Sequence, residues 1–310
     1  MAALICGSLA YDVIMVFQDY FKHHILPDKV HMLNVSFLVP SLRREFGGCA
    51  GNVAYNLKLL GGQGYPLGTV GEDFGPYAQW LDSQGIDRRY VETVPGSYTA
   101  QAYITSDLDD NQITAFHPGA MAFSAQVTVP EAGGITLGMV SPDSREGMLA
   151  HARQFRAAGI PFIFDPGQAM PLFSGSDLVD LIEQADWVTV NDYEFALIQE
   201  RTGLSAAEIA PRVKALIVTC GASGSYIQTA DARIDIPAAQ AREVVDPTGC
   251  GDAYRAGLLY GMMRGMDWHT TGRIAALAGA YKIEKPGTQN HSFALDEFRE
   301  RFAENFGYRF

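Results

Sequence analysis

Short apolar runs of strand length recur along the chain, and each ends in small or polar residues. Ala3–Cys6 runs into Gly7-Ser8, Pro66–Val70 into Gly71-Glu72-Asp73, and Gly138–Val140 into Ser141-Pro142-Asp143. Pro161–Phe164 runs into Asp165-Pro166-Gly167, Trp187–Val190 into Asn191-Asp192-Tyr193-Glu194, and Leu216–Val218 into Thr219-Cys220-Gly221. Runs without alternation are buried on both faces, which predicts a mostly parallel sheet. Helical patterns separate them at Ala50–Leu60, Tyr77–Gln84, Glu146–Ala158, Tyr193–Thr202 and Arg273–Ile283. Strand, polar strand end and helix in repetition predict a doubly wound α/β domain with helices on both faces. Ligands of such domains bind at the C-terminal ends of the strands, where these polar residues collect. Two stretches read differently: His31–Val39 and Tyr98–Ile104 alternate or are β-rich, and a further strand is expected near Asn111–Thr114. Together they predict a small β-sheet lid built from inserted segments 12–46 and 96–118 of a single domain spanning 1–310.

Composition narrows the ligand. With 47% hydrophobic and 19% charged residues, the 310-residue chain can bury a sizeable core. Lys and Arg number 23 against 35 Asp and Glu, a formal net charge of −12. That balance disfavours nucleic acid and anionic membrane surfaces as partners. A polyphosphate ligand would need positive potential built locally, from helix N-termini and a divalent metal. Cys6, Cys49, Cys220 and Cys250 form no CxxC pair and read as small buried thiols in a reducing compartment. The N-terminus lacks the charged region of a signal peptide, and no run approaches the ~18 apolar residues of a membrane span. A cytoplasmic location is expected.

The chemistry concentrates in two glycine-rich helix entries. Asp246-Pro247-Thr248-Gly249-Cys250-Gly251-Asp252-Ala253 leads into the apolar run Tyr254, Ala256, Leu258, Leu259. Glycines allow a sharp turn and close ligand approach, and a helix start offers unpaired N–H groups to an anion. A carboxylate beside a phosphate site has an obvious task, accepting a proton from an attacking hydroxyl. The same residues would also suit an ordinary loop-to-helix junction with Asp252 as first-turn decoration. Gly47-Gly48-Cys49-Ala50-Gly51-Asn52 is the second entry, and Asp12 follows the first strand. A carboxylate and an amide converging on one spot suit a vicinal diol, although each alone reads as a turn or cap residue. Asn191-Asp192-Tyr193-Glu194 reads equally as a helix cap, and Thr219–Gly224 as a hairpin turn. There is no GxxxxGK[ST] and no HExxH.

These pieces, in this order, resemble the PfkB-type, or ribokinase-like, carbohydrate kinases from Gly7 to about His291. Gly47-Gly48 through Asn52 is similar to the family's N-terminal signature, Asp246–Asp252 to its C-terminal one, Asn191 with Glu194 to its NxxE motif, and Thr219–Gly224 to its nucleotide loop. Ser36–Val39, Asn111-Gln112, His117–Met121 and Gly287-Thr288-Gln289 are similar to segments of the bacterial adenosine kinases of sugar-kinase type. The resemblance implies a ribokinase-like fold and ATP-dependent phosphorylation of the 5′-hydroxyl of adenosine. A sugar kinase acting on ribose or fructose, a broad nucleoside kinase and a nucleotide-responsive binding protein without turnover are the alternatives.

Residue by residue, the resemblance implies that Asp252 is the base, with Gly249, Cys250 and Gly251 forming the anion hole. Ser8, Asp12, Ser36, Gly48 and Asn52 would hold the nucleoside, with Phe116 and Gln168 near its base. Asn191, Thr219, Gly221, Ser223 and Gly224 would line the ATP site, and Glu194 would bind Mg²⁺ through water. K⁺ is a further candidate cofactor, and the lid a candidate dimer contact. Pro247 and Cys250 depart from the common signature residues, Gln168–Ser174 lacks the arginine many members carry, and Ala102 stands where an aromatic is expected. Helix dipole and nearby donors are expected to outweigh burial and hold Asp252 below its ordinary pKa, ionised at neutral pH.

Overall fold

The computed structural model describes residues 1–25, 32, 34–109, 111–130 and 134–310. Among these residues, thirteen strands form two sheets. The larger has nine: β1 (Ala2–Cys6), β4 (Gly64–Val70), β5 (Tyr90–Thr93), β8 (Ile135–Val140), β9 (Phe162–Phe164), β10 (Trp187–Asn191), β11 (Ala215–Thr219), β12 (Ser225–Gln228) and β13 (Arg233–Ile236). Its order is β13-β12-β11-β10-β9-β8-β1-β4-β5. β11 through β5 are parallel, while β12 and β13 add an antiparallel edge.

The continuous apolar runs are explained by burial on both faces. Ala3 and Ile5 of β1 join a core layer with helices α2 (Cys49–Leu59), α3 (Gly75–Ser83), α8 (Cys250–Met263), α9 (Trp268–Ile283) and α10 (Leu295–Phe306). Ala2, Leu4 and Cys6 join the opposite layer with α4 (Arg145–Ala158), α5 (Gly175–Gln184) and α6 (Asp192–Thr202). Leu4 and Ile5 have no exposed surface, so truncating either to Ala should cost about 2–5 kcal/mol. Two single turns, α1 (Phe21–His24) and α7 (Ala206–Ile209), complete the helices. α8 crosses α9 closely at Gly257, where a Cβ would clash with the Cα of Ala275.

The second sheet is the lid. β2 (Ala10–Val16), β3 (Ser41–Gly47), β6 (Ala100–Ser106) and β7 (Gln112–His117) run in the order β3-β2-β6-β7. The strands expected from Tyr98–Ile104 and near Asn111–Thr114 are present. The one expected over His31–Val39 is not: residues 34–39 have no regular structure, and 31 and 33 lie outside the described residues. The alternating pattern there marks a half-exposed chain that turns into β3. Among the described residues no helix is long and apolar enough to cross a membrane.

Candidate active site

Two helix N-termini, those of α2 and α8, meet at the C-terminal side of the large sheet. At the first, Gly48 takes φ +85°, and a Cβ there would come within 2.6 Å of the Ser8 carbonyl and 2.7 Å of the Ala10 nitrogen. Only glycine lets the chain pass this closely over the β1–β2 link. Ser8 Oγ accepts the Cys49 N–H at 3.1 Å, so its first task is to satisfy the helix start. Asn52, one turn into α2, is buried. Its Nδ2 donates to Asp252 Oδ2 at 2.8 Å, and its Oδ1 accepts from Gln289 Nε2 at 3.0 Å. Gln289 is in turn held by Tyr77 and by Trp80 Nε1. The amide is therefore fixed in orientation, and it reaches from the N-terminal third to the carboxylate of α8.

At the second entry, the Asp246 carboxylate accepts the N–H of Thr248 at 2.9 Å and of Gly287 at 2.8 Å, setting the turn. Gly249 caps α8 with φ +81°. The Cys250 N–H points back to the Pro247 carbonyl at 3.1 Å. That engagement removes Cys250 from the expected anion hole. Among the described residues, the N–H groups of Gly249, Gly251 and Asp252 have no protein acceptor. These three, at a helix start, are free to receive an anion. The Cys250 thiol is pushed up to about 11 by burial, so it is a neutral small side chain.

Burial dominates the charge state of the site. Asp252 is pushed up to about 6, chiefly by desolvation and further by Asp165, against the Asn52 hydrogen bond and Arg255. The expectation that donors would win is corrected in sign: the carboxylate is taken further out of water than its short list of donors offsets. It is still mainly ionised at pH 7. Asp12, on β2, is likewise raised to about 6 by burial and by Glu45 and Asp246. It lies over Gly47, where a Cβ would sit 2.6 Å from Asp12 Oδ2.

Asp165 and Arg255 were not singled out by the sequence. Arg255 is 5% exposed and grips the Asp165 carboxylate through two hydrogen bonds, Nε to Oδ2 at 2.9 Å and NH2 to Oδ1 at 3.1 Å. Glu194 Oε2 lies 3.9 Å from the same guanidinium. These anions hold Arg255 fully charged despite its burial. This arginine of α8 is committed to Asp165 and does not replace the one absent from Gln168–Ser174. The readable signal was its spacing, three residues after Asp252 on the same helix face.

The remaining candidates divide. Gln168 Nε2 contacts Cys49 Sγ at 3.5 Å, beside Asp252. Asn191 and Glu194 form a full capping box, with the Glu194 N–H donating to Asn191 Oδ1 at 2.7 Å and the Asn191 N–H donating to Glu194 Oε2 at 2.8 Å. Both Glu194 oxygens are hydrogen-bonded, and no cluster of three His, Cys, Asp or Glu suited to a metal occurs among the described residues. This donor set fits Mg²⁺ only with waters and ligand phosphates completing its shell. Thr219 pairs with Asn191 across β10 and β11, and Gly221 to Gly224 form the turn between β11 and β12. Phe116 is opposite Ala102, which is opposite Asp12, which is opposite Glu45. Directly paired residues share a face, so Asp12 and Phe116 flank the small Ala102 on one side of the lid. Ser36 is exposed in the irregular stretch before β3. A 410 Å³ depression lined by Met1, Thr136, Pro161, Trp187 and Met266 lies at the N-terminal strand ends and contains no titratable side chain.

Known proteins are similar to this chain along nearly its whole length. The family described as pfkB family carbohydrate kinase matches residues 13–294. A Burkholderia thailandensis nucleoside kinase, solved in complex with inosine, is 52% identical; the match covers 99% of each chain with a TM-score of 0.91. The same protein with ADP and inosine gives 54% identity, 99% and 97% coverage and a TM-score of 0.88. The Methanocaldococcus jannaschii nucleoside kinase, an archaeal member of the ribokinase family, is 31% identical over 98% of each chain, with a TM-score of 0.90.

Proposed function

The chain belongs to the pfkB family of carbohydrate kinases, enzymes that transfer phosphate to a hydroxyl group, and we propose that it phosphorylates the 5′-hydroxyl of purine nucleosides, adenosine and inosine, from ATP. The observation that carries the reading is the 2.8 Å contact between Asn52 and Asp252. It joins a residue placed to grip a sugar to the carboxylate at the mouth of the amide cradle. Inosine in the B. thailandensis relative supports a nucleoside over a free sugar. So does the lid face, where Ala102 leaves room between Asp12 and Phe116 for a flat base.

In this reading Asp12 and Asn52 accept and donate hydrogen bonds to the ribose diol. That orients the 5′-hydroxyl toward Asp252, which takes its proton as the new O–P bond forms. The transition state of phosphoryl transfer is loose, so positioning and charge neutralisation carry most of the catalysis. The N–H groups of Gly249, Gly251 and Asp252 stabilise the transferring group. Arg255 fixes Asp165 and Glu194 beneath it, and Gln168 closes the base side. Asn191, Thr219 and the Gly221–Gly224 turn line the nucleotide. Glu194 would hold Mg²⁺ through water, and that ion neutralises phosphate charge when bound. Closure of the lid excludes water, so ATP hydrolysis without acceptor should be slow. A coupled ADP-release assay across adenosine, inosine, guanosine, ribose and fructose tests the proposal. Higher kcat/KM for ribose or fructose than for both nucleosides would overturn it, as would nucleoside binding with no product.

A further inference from the structure

Lys282, in the last turn of α9, has no exposed surface. A buried ammonium is unfavourable unless its protons are hydrogen-bonded. Its Nζ donates to the carbonyl oxygens of Asp246 at 2.7 Å and Lys285 at 3.1 Å. Among the described residues it makes no ion pair within 4.0 Å; the ion pair in this region is the neighbouring one of Lys285 with Glu243, at 3.8 Å. The other groups near it are the neutral Cys250 thiol, His291, whose imidazole burial keeps neutral, and the partly buried Asp246 carboxylate. The positive charge thus sits in a shell of carbonyl dipoles, opposed by burial and supported by the nearby Asp246 carboxylate.

Its position matters more than its burial. Asp246 opens the turn that presents the amide cradle of α8. The N–H groups of Val245 and Asp246 both donate to the Ile283 carbonyl, at 2.9 and 3.1 Å, and Asp246 Oδ2 accepts the Gly287 N–H at 2.8 Å. Lys282 closes this set from beneath, drawing the Asp246 carbonyl toward the turn after α9. An alkali cation serving the cradle would need the same ligands, since carbonyl oxygens are what K⁺ uses in place of water. Here they are taken.

We propose that Lys282 is a built-in monovalent cation: its ammonium occupies the carbonyl site behind the anion cradle, fixes the Asp246–Gly249 turn and lends it positive potential, so that the enzyme needs no K⁺. The expected K⁺ cofactor therefore does not fit this chain at that place. Lys282 is a positioning residue, since it reaches the transferring group only through the turn.

The test uses the full chain in K⁺, Na⁺ and tetramethylammonium chloride at equal ionic strength. Wild-type kcat should vary less than about 2-fold across the three. Lys282→Ala, which empties the site, should lose about 10²-fold in kcat with Na⁺ or tetramethylammonium, the usual scale for removing one electrostatic contributor. K⁺ or ammonium should restore about 10-fold or more of that loss, a rescue a purely structural role would not show. A wild-type enzyme stimulated about 10-fold by K⁺ would overturn the proposal, a result that needs no variant. So would a folded Lys282→Ala that is fully active, or equally inactive, in every cation. The rate readout rests on the kinase reading. ADP affinity by calorimetry in the same salts does not: it should be cation-independent in the wild type and rescued by K⁺ in the variant, and failure there counts against Lys282 alone.

Discussion

Replacing Asp252 by Asn separates catalysis from stability, because the structure predicts opposite signs for the two. The amide keeps the shape and can still accept from Asn52 Nδ2, but it cannot take a proton. Turnover should fall by ~10²-fold or more, the range for a positioned acid–base group. Stability should rise. Desolvation lifts the Asp252 carboxyl from 3.8 to about 6, so the folded state holds this proton more tightly than the unfolded chain does. Folding is then progressively disfavoured as pH rises from about 4 to about 6, and the loss is complete above that window. At ~1.4 kcal/mol per pKa unit the ceiling is about 3 kcal/mol. With an unfolding entropy of ~2.1 cal/mol/K per residue, a chain of this length should gain up to ~5 °C in Tm. Calorimetric scans of both proteins between pH 4 and 8 read it directly. The Tm difference should be near zero at the acid end and fully open above neutrality. In the wild type, kcat/KM should fall on the acid side with an apparent pKa near 6, where Asp12 titrates too, rather than near 4. An Asp252→Asn protein that melts lower than wild type at pH 8 would refute the desolvation argument. Near-normal turnover would remove Asp252 from the chemistry.

Asn52→Asp puts a second carboxylate against Asp252; the acid limb of the pH–rate profile should then move up by about one unit or more, and an unmoved limb would break the claimed coupling. Arg255→Met leaves Asp165 buried without its bidentate partner, so urea unfolding should show a loss of about 3–5 kcal/mol, and a loss below about 1 would mean that Asp165 is not held as described. Ala102→Phe fills the lid face between Asp12 and Phe116; KM for adenosine should rise about 10-fold or more with kcat changed less, and an unchanged KM would place the base elsewhere.

The parallel sheet was legible because burial on both faces leaves no alternation, and Ala3 and Leu4 duly enter opposite core layers. The lid was legible where strands keep a β-rich composition, as in Tyr98–Ile104, and illegible at His31–Val39, where an alternating pattern belongs to a half-exposed irregular segment. Within the site, glycine and acid spacing pointed to Asp252 and Asn52, whose contact spans 200 positions of sequence. What spacing could not give was the balance of charge. Whether burial or donors set the Asp252 pKa depends on which groups fold around it. Arg255 and Lys282 look like ordinary helix cations until their burial is seen. The placement of Lys282 answers a difficulty posed by a chain of net charge −12 that must receive a polyphosphate. Surface lysines would be screened by solvent and salt. The Lys282 ammonium, caged by carbonyls, lies instead out of water, where screening is weaker, behind the free N–H groups of a helix start. On this reasoning nucleotide affinity should respond less to added salt than a phosphate site built from exposed lysines would, and an ADP dissociation constant that weakens ~10-fold between roughly 50 and 500 mM tetramethylammonium chloride would show that exposed cations carry the binding.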